Sequence, residues 1–105
     1  MPVDGSRKIH FSDNPMKNEA FVYFKLTKNA VVYATIYDFA GRKVRELRAN
    51  NGSKCISGNE YYVKWNGIND DGEEVARGGY IAHFEAIGTE SKVKASEWIK
   101  IAVMK

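Results

Sequence analysis

"WNGINDDGEEVARGGY", residues 65 to 80, decides how the rest of the chain is read. Asn69, Asp70, Asp71, Glu73 and Glu74 crowd around Gly72, a composition shared by cation loops and tight turns. A calcium loop of the EF-hand kind needs acidic residues at its first, third and fifth positions, glycine at the sixth and a bidentate glutamate at the twelfth. With Gly72 at the sixth, the first and twelfth positions fall on Gly67 and Gly78, which have no side chain to offer. Asn69 and Asp71, at the third and fifth, remain as the candidate metal contacts. The turn reading accounts for more of the stretch. Asp-Gly is a preferred pair where both central residues of a tight hairpin turn need positive φ, and Asn69 and Asp70 can accept bonds from nearby backbone donors. A catalytic carboxylate pair needs one member selectively buried. Glu73 and Glu74, set between a turn glycine and "VARGG", carry no such asymmetry.

Working outward from this stretch, period-two alternation recurs on both sides, as strands with one face on a core require. Before it, "YYVKW" places Tyr61, Val63 and Trp65 on one face; after it, "YIAHFEA" does the same with Tyr80, Ala82, Phe84 and Ala86, leaving His83 outward. Earlier, "AFVYFKLT" turns Val22, Phe24 and Leu26 inward, and "VVYATIYD" does so with Val32, Ala34 and Ile36. "FAG" then reverses the chain at Gly41, and "RKVRELRA" returns through Val44 and Leu47. Their spacing of three would equally suit a single helical turn, and a strand with a bulge is the expectation. "NNGSKCISGNE" and "IGTESK" read as loops, and "SEWIKIAVM" ends the chain with Ile99, Ile101 and Val103 sharing a face. Trp65 and Trp98 are expected to pack in the core and between sheets. The pattern predicts an all-β, Ig-like antiparallel β-sandwich of about seven strands. Residues 1–13 form an N-terminal lead-in with a candidate first edge strand, and 14–105 the sandwich domain.

The totals narrow the functions available. A chain of 105 residues with 28% charged and 44% hydrophobic content suits one folded domain. Its 16 Lys and Arg against 13 Asp and Glu are close to balance, so the net charge of +3 makes no case for nucleic acid. The densest basic run, Arg42, Lys43, Arg45 and Arg48, has no interleaved aromatic residues for base stacking. Cys55 is the single cysteine, which excludes an internal disulfide and a Cys-rich zinc site. His10 and His83 stand 73 positions apart and suggest surface imidazoles rather than metal ligands. No nucleophile elbow and no phosphate-cradling glycine loop is present, so no cofactor is expected. No apolar run has the length of a signal peptide core or a membrane span. One binding feature stands out: Tyr23, Tyr33, Tyr37 and Tyr62 all point outward and would form a glycan- or protein-binding platform if their strands adjoin.

These strands and turns resemble the Ig-like domain at the C-terminus of the flagellar hook-capping protein, a domain that also ends many exported bacterial proteins. The resemblance covers about residues 14 to 105. It is carried by "IYDFAGRKVREL", Ile36 to Leu47, and by the stretch from Trp65 to Tyr80. It implies a non-enzymatic sandwich acting as a structural or interaction module, joined to upstream domains of a longer exported polypeptide. The expected location is therefore extracytoplasmic: periplasmic, cell-surface or secreted. A related C-terminal domain is the sorting signal of the type IX secretion system. The residues carried over by the resemblance are structural: Asn14 and Pro15 at the entry turn, Asp38 and Gly41 at the hairpin, Trp65 and Gly67 at the strand exit, Gly72 at the loop turn, and Gly79 and Tyr80 at the next strand. Two departures from the family are visible. Met16 stands where phenylalanine is common, and "IGTESKVKASE" is longer than the brief turn that precedes the last strand of typical sorting domains.

Overall fold

Alternating burial along the chain builds two sheets whose inner faces meet. The computed structural model describes residues 10–11, 19–90 and 94–104. Asn14, Pro15 and Met16 lie outside the described residues. The strands are β1 (His10–Phe11), β2 (Ala20–Lys25), β3 (Ala30–Asp38), β4 (Lys43–Arg48), β5 (Glu60–Trp65), β6 (Gly78–Gly88) and β7 (Lys94–Val103). They form a three-stranded sheet in the order β1-β2-β5 and a four-stranded sheet in the order β4-β3-β6-β7, with every named pairing antiparallel. The chain returns across the sandwich so that β5 lies beside β2 and β6 beside β3, a Greek-key path of the kind found in Ig-like domains. β1 pairs with β2 from within the stretch read as a lead-in, so the sandwich begins before residue 14.

The inward sets are those the alternation gives. Val22, Phe24, Val63 and Trp65 face Val32, Ile36, Phe84 and Ile101 across the interior, all buried. Removing each such side chain from water contributes about 1.5–3 kcal/mol, which is what holds one sheet to the other. In β4 the pairing steps from Ile36 opposite Arg45 to Tyr37 opposite Lys43, so Val44 is the extra residue of a bulge. The bulge lets Val44 and Leu47 both lean on the core despite their spacing.

Three readings of the sequence need correction, and the burial of Cys55 is a further finding. β5 and β6 belong to different sheets, so residues 66–77 form a crossover between sheets and not a hairpin. The stretch "IGTESKVKASE" is mostly strand: β6 and β7 stay paired out to Ile87 opposite Lys94, and the connection is confined between Gly88 and Lys94. Trp98 is 63% exposed, because the inward parity of Ile99 and Ile101 turns its neighbour outward. Cys55 sits in a polar loop but is fully buried, drawn in by reciprocal backbone bonds with Ala30 of 2.7 and 3.1 Å.

That burial pushes the Cys55 thiol up from 9.0 to about 11. Because the folded value is the higher, the stability it reflects is complete below pH 9.0 and is lost as pH rises towards 11. A Cys55→Val variant is expected to unfold less readily than the parent chain over that alkaline window, measured by urea midpoints at successive pH values.

Candidate functional site

The acidic stretch and the β3–β4 hairpin turn out to be the same device. In the hairpin, Asp38 Oδ1 accepts the backbone N–H groups of Ala40 and Arg42 at 3.0 and 2.9 Å, and Gly41 N–H donates to the Asp38 carbonyl at 3.0 Å. In the crossover, Asn69 Oδ1 accepts the N–H groups of Asp71 and Glu73 at 3.0 and 2.9 Å, and Gly72 N–H donates to the Asn69 carbonyl at 3.0 Å. Each loop closes through the first residue's N–H, Asp38 to the Arg42 carbonyl and Asn69 to the Glu73 carbonyl. Each places a glycine in the left-handed region, Gly41 at φ 85° and Gly72 at φ 84°. One side-chain oxygen two and four residues upstream of its donors thus fixes the turn, and glycine supplies the conformation other residues resist. Asp71 does not share the positive φ expected of a two-residue Asp-Gly turn; the reversal is the longer Asn-x-x-Gly form. The shared signal, Asp38-x-x-Gly41 and Asn69-x-x-Gly72, stands in the sequence, but only the second copy is flanked by further acidic residues, which disguises the likeness.

The crossover also seals an edge. Asp70 N–H donates to the Val44 carbonyl at 2.9 Å, its Oδ1 accepts from Glu46 N–H at 3.3 Å, and Arg45 Nη1 donates to the Asn69 carbonyl at 3.1 Å. Lys43 Nζ and Arg45 Nε stand 4.0 and 3.9 Å from the Asp70 carboxylate. Arg45 Nε is enclosed and lacks a direct hydrogen bond, so this carboxylate answers its charge from beyond bonding distance. Backbone groups of edge strand β4 that would otherwise invite another strand are thereby occupied. At either end of the crossover sit Trp65 and Tyr80, ring centroids 5.4 Å apart and edge to face. Trp65 Nε1 donates to the Ile68 carbonyl at 3.0 Å, Tyr80 Oη to the Ala76 carbonyl at 2.6 Å, and Val75 N–H to the Gly67 carbonyl at 2.9 Å. Gly79 is bare because the Phe39 ring lies over it, 2.5 Å from where a Cβ would stand.

As a metal site the stretch is spent on its own backbone. The Asn69 oxygen is already shared by two N–H donors, Asp70 faces cations, and Asp71 is exposed. Among the described residues, no group of three or more His, Cys, Asp and Glu is placed to hold a metal ion. The shallow cleft here, about 290 Å³, is lined by Asp38, Lys43, Asp70, Asp71 and Tyr80, carrying both signs of charge.

Asp38 titrates below its ordinary 3.8, chiefly because the Arg42 backbone N–H bonds the ionised carboxyl, with the Arg42 guanidinium 3.0 Å from Oδ2. A lowered folded value gives stability present above pH 3.8 and lost as pH falls through the folded pKa. Asp38→Asn keeps an acceptor for the turn but removes that titration. Its unfolding midpoint is expected to fall less steeply than the parent's on acidification below pH 4, followed by circular dichroism.

The four outward tyrosines do not share a face. Tyr23 and Tyr62 are cross-strand partners on the three-stranded sheet, 5.9 Å apart, and Phe21 joins them at 5.9 and 5.7 Å. Tyr33 and Tyr37 lie on β3, on the outer face of the opposite sheet. There Tyr37 meets the residue misplaced in the core, with its ring 6.2 Å from that of Trp98. His83, outward as expected, stacks on Trp98 at 4.0 Å and 10°.

No family model matches the sequence, and no curated protein does. Among solved structures, the chain is similar to the crystal structure of dimeric latent PorU from Porphyromonas gingivalis, with a TM-score of 0.67 and 19% sequence identity. The match covers 93% of this chain and 9% of that one, so a sandwich of this fold occupies a small part of a much longer protein.

Proposed function

We propose that this chain is a non-catalytic Ig-like module of a larger exported bacterial protein, of the type seen at the C-terminus of the flagellar hook-capping protein. The observation that carries the proposal is that the same fold recurs as 9% of a far longer chain. The commitment of the most site-like side chains, Asp38, Asn69 and Asp70, to turns and an edge strand supports it, since groups held by backbone donors are poor acids, bases or ligands. The module's work is to terminate, space and protect the polypeptide that carries it. No described helix is long and apolar enough to cross a membrane.

Deleting residues 14–105 from the parent polypeptide tests the reading. The truncated parent is expected to be exported as before and to lose solubility or protease resistance. A second reading, a C-terminal sorting signal for type IX secretion, is favoured by the β6–β7 hairpin, whose confined connection removes a departure from such domains. It predicts that the truncated parent stays inside the cell.

A further inference from the structure

The three-stranded sheet ends on β5, whose one strand neighbour is β2. Among the described residues, no hydrogen bond reaches the other backbone edge of β5, whereas the edge of β4 is occupied by the crossover. Beside β5 lies an open cleft of about 350 Å³, lined by Glu60, Tyr62 and Lys64 of the strand and by Arg48, Asn50 and Asn51 next to it. The edge therefore has room for a further strand, and its unpaired N–H and C=O groups are a template for one.

The order of side chains selects the strand that fits. Glu60, Tyr62 and Lys64 are all exposed on the outer face, with Tyr62 at the rim of the aromatic cluster it forms with Phe21 and Tyr23. Antiparallel pairing of β5 with β5 of a second copy, centred on Tyr62, sets Glu60 of each copy opposite Lys64 of the other and Tyr62 opposite its own counterpart. On the inner face it sets Tyr61 opposite Val63. Opposite charges and aromatic rings facing each other across a ladder are favourable, and like charges are not. A slip of register by two residues forfeits both ion pairs, and parallel pairing in step brings Glu60 beside Glu60. Glu60 has no ion pair of its own among the described residues. The Lys64 ammonium, 3.3 Å from Glu19, keeps further donors for a second carboxylate. We propose that β5 is a self-association edge, through which two copies join their three-stranded sheets into one continuous sheet about a two-fold axis. The proposal does not depend on how the module serves its parent. A strand of 6 residues makes a small interface, so the dimer is weak, with a Kd of about 0.1 mM.

Sedimentation equilibrium of the full chain, from micromolar to millimolar concentration, tests this. The average mass should rise from that of a monomer towards that of a dimer. Glu60→Lys and Lys64→Glu each set like charges opposite one another and should weaken association roughly tenfold. An equimolar mixture of the two variants should associate more tightly than either alone, because every facing pair is then of opposite sign; this rescue also guards against a misfolded variant. Lys94→Glu, on β7 of the other sheet, should associate as the parent chain does. The register is read by oxidation: Tyr62→Cys should form a disulfide between copies, since residue 62 meets its counterpart at a Cα separation of about 4.5–5.5 Å, and Glu60→Cys should not. The proposal is overturned by a chain that stays monomeric at millimolar concentration, by folded Glu60→Lys associating as tightly as the parent, by a mixture no tighter than its components, or by weakening in Lys94→Glu, which would place the contact on β7.

Discussion

Trp65→Ala is expected to lower the free energy of unfolding by about 3–5 kcal/mol, the range for emptying a large aromatic site in a core. Trp65 is 2% exposed and is the largest of the fully enclosed side chains. It does three things at once. Its ring fills the gap between the sheets, it packs on the edge of Tyr80, and its Nε1 holds the Ile68 carbonyl at 3.0 Å. Alanine removes all three, and the crossover loses the anchor at its first residue. Trp65→Phe separates the contributions, since it restores much of the ring but leaves the carbonyl without that donor; it should cost about 1–2 kcal/mol less than the alanine variant. Urea unfolding of the three chains decides the matter. A loss below about 1 kcal/mol for alanine would mean that the ring is not structural.

Val32→Asp is the second large effect. Val32 is fully buried on β3, which has neighbours on both sides in the four-stranded sheet, opposite Ala86. A carboxylate there has no partner and no water, and the cost of several kcal/mol is comparable with the ~5–15 kcal/mol that holds a domain of this kind together. The variant is expected to be unfolded at neutral pH. Val31→Asp, one residue away, points to the outer face and should cost about 1 kcal/mol, the scale of strand preference alone. Far-ultraviolet circular dichroism of the pair tests the sandwich directly, because only a sheet with one buried face separates neighbouring residues so sharply.

Much of this architecture is legible in the residues themselves, and what is not has physical causes. Alternation depends only on the chain and its two environments, so the inward sets of β2, β3 and β6 are plain in the sequence. Trp98 was legible too: placing Ile99 and Ile101 inward obliges it to face out, but an expectation about tryptophan overrode parity. The split of the four tyrosines was not legible, since alternation says which face a residue takes and not which strand lies beside it. Cys55 gave no signal, because its burial comes from a backbone bridge to Ala30 and its neighbours in sequence are polar. The acidic stretch reads as a turn in the sequence too, and its cation alternative persists there for a related reason. Carboxylates and amides that serve backbone donors look, in a sequence, like those that await a cation.

That distinction can be measured in one experiment. The thermal unfolding midpoint of the full chain is compared in chelator and in calcium at about 10 mM, some ten times the weakest dissociation constants of extracellular calcium modules. If Asn69 and Asp71 belong to a turn, the midpoint is unchanged by calcium, while Asn69→Ala lowers stability by about 1–2 kcal/mol equally in both conditions. A calcium-dependent rise of several degrees, abolished by Asp71→Ala, would contradict the account and make residues 65 to 80 a binding loop.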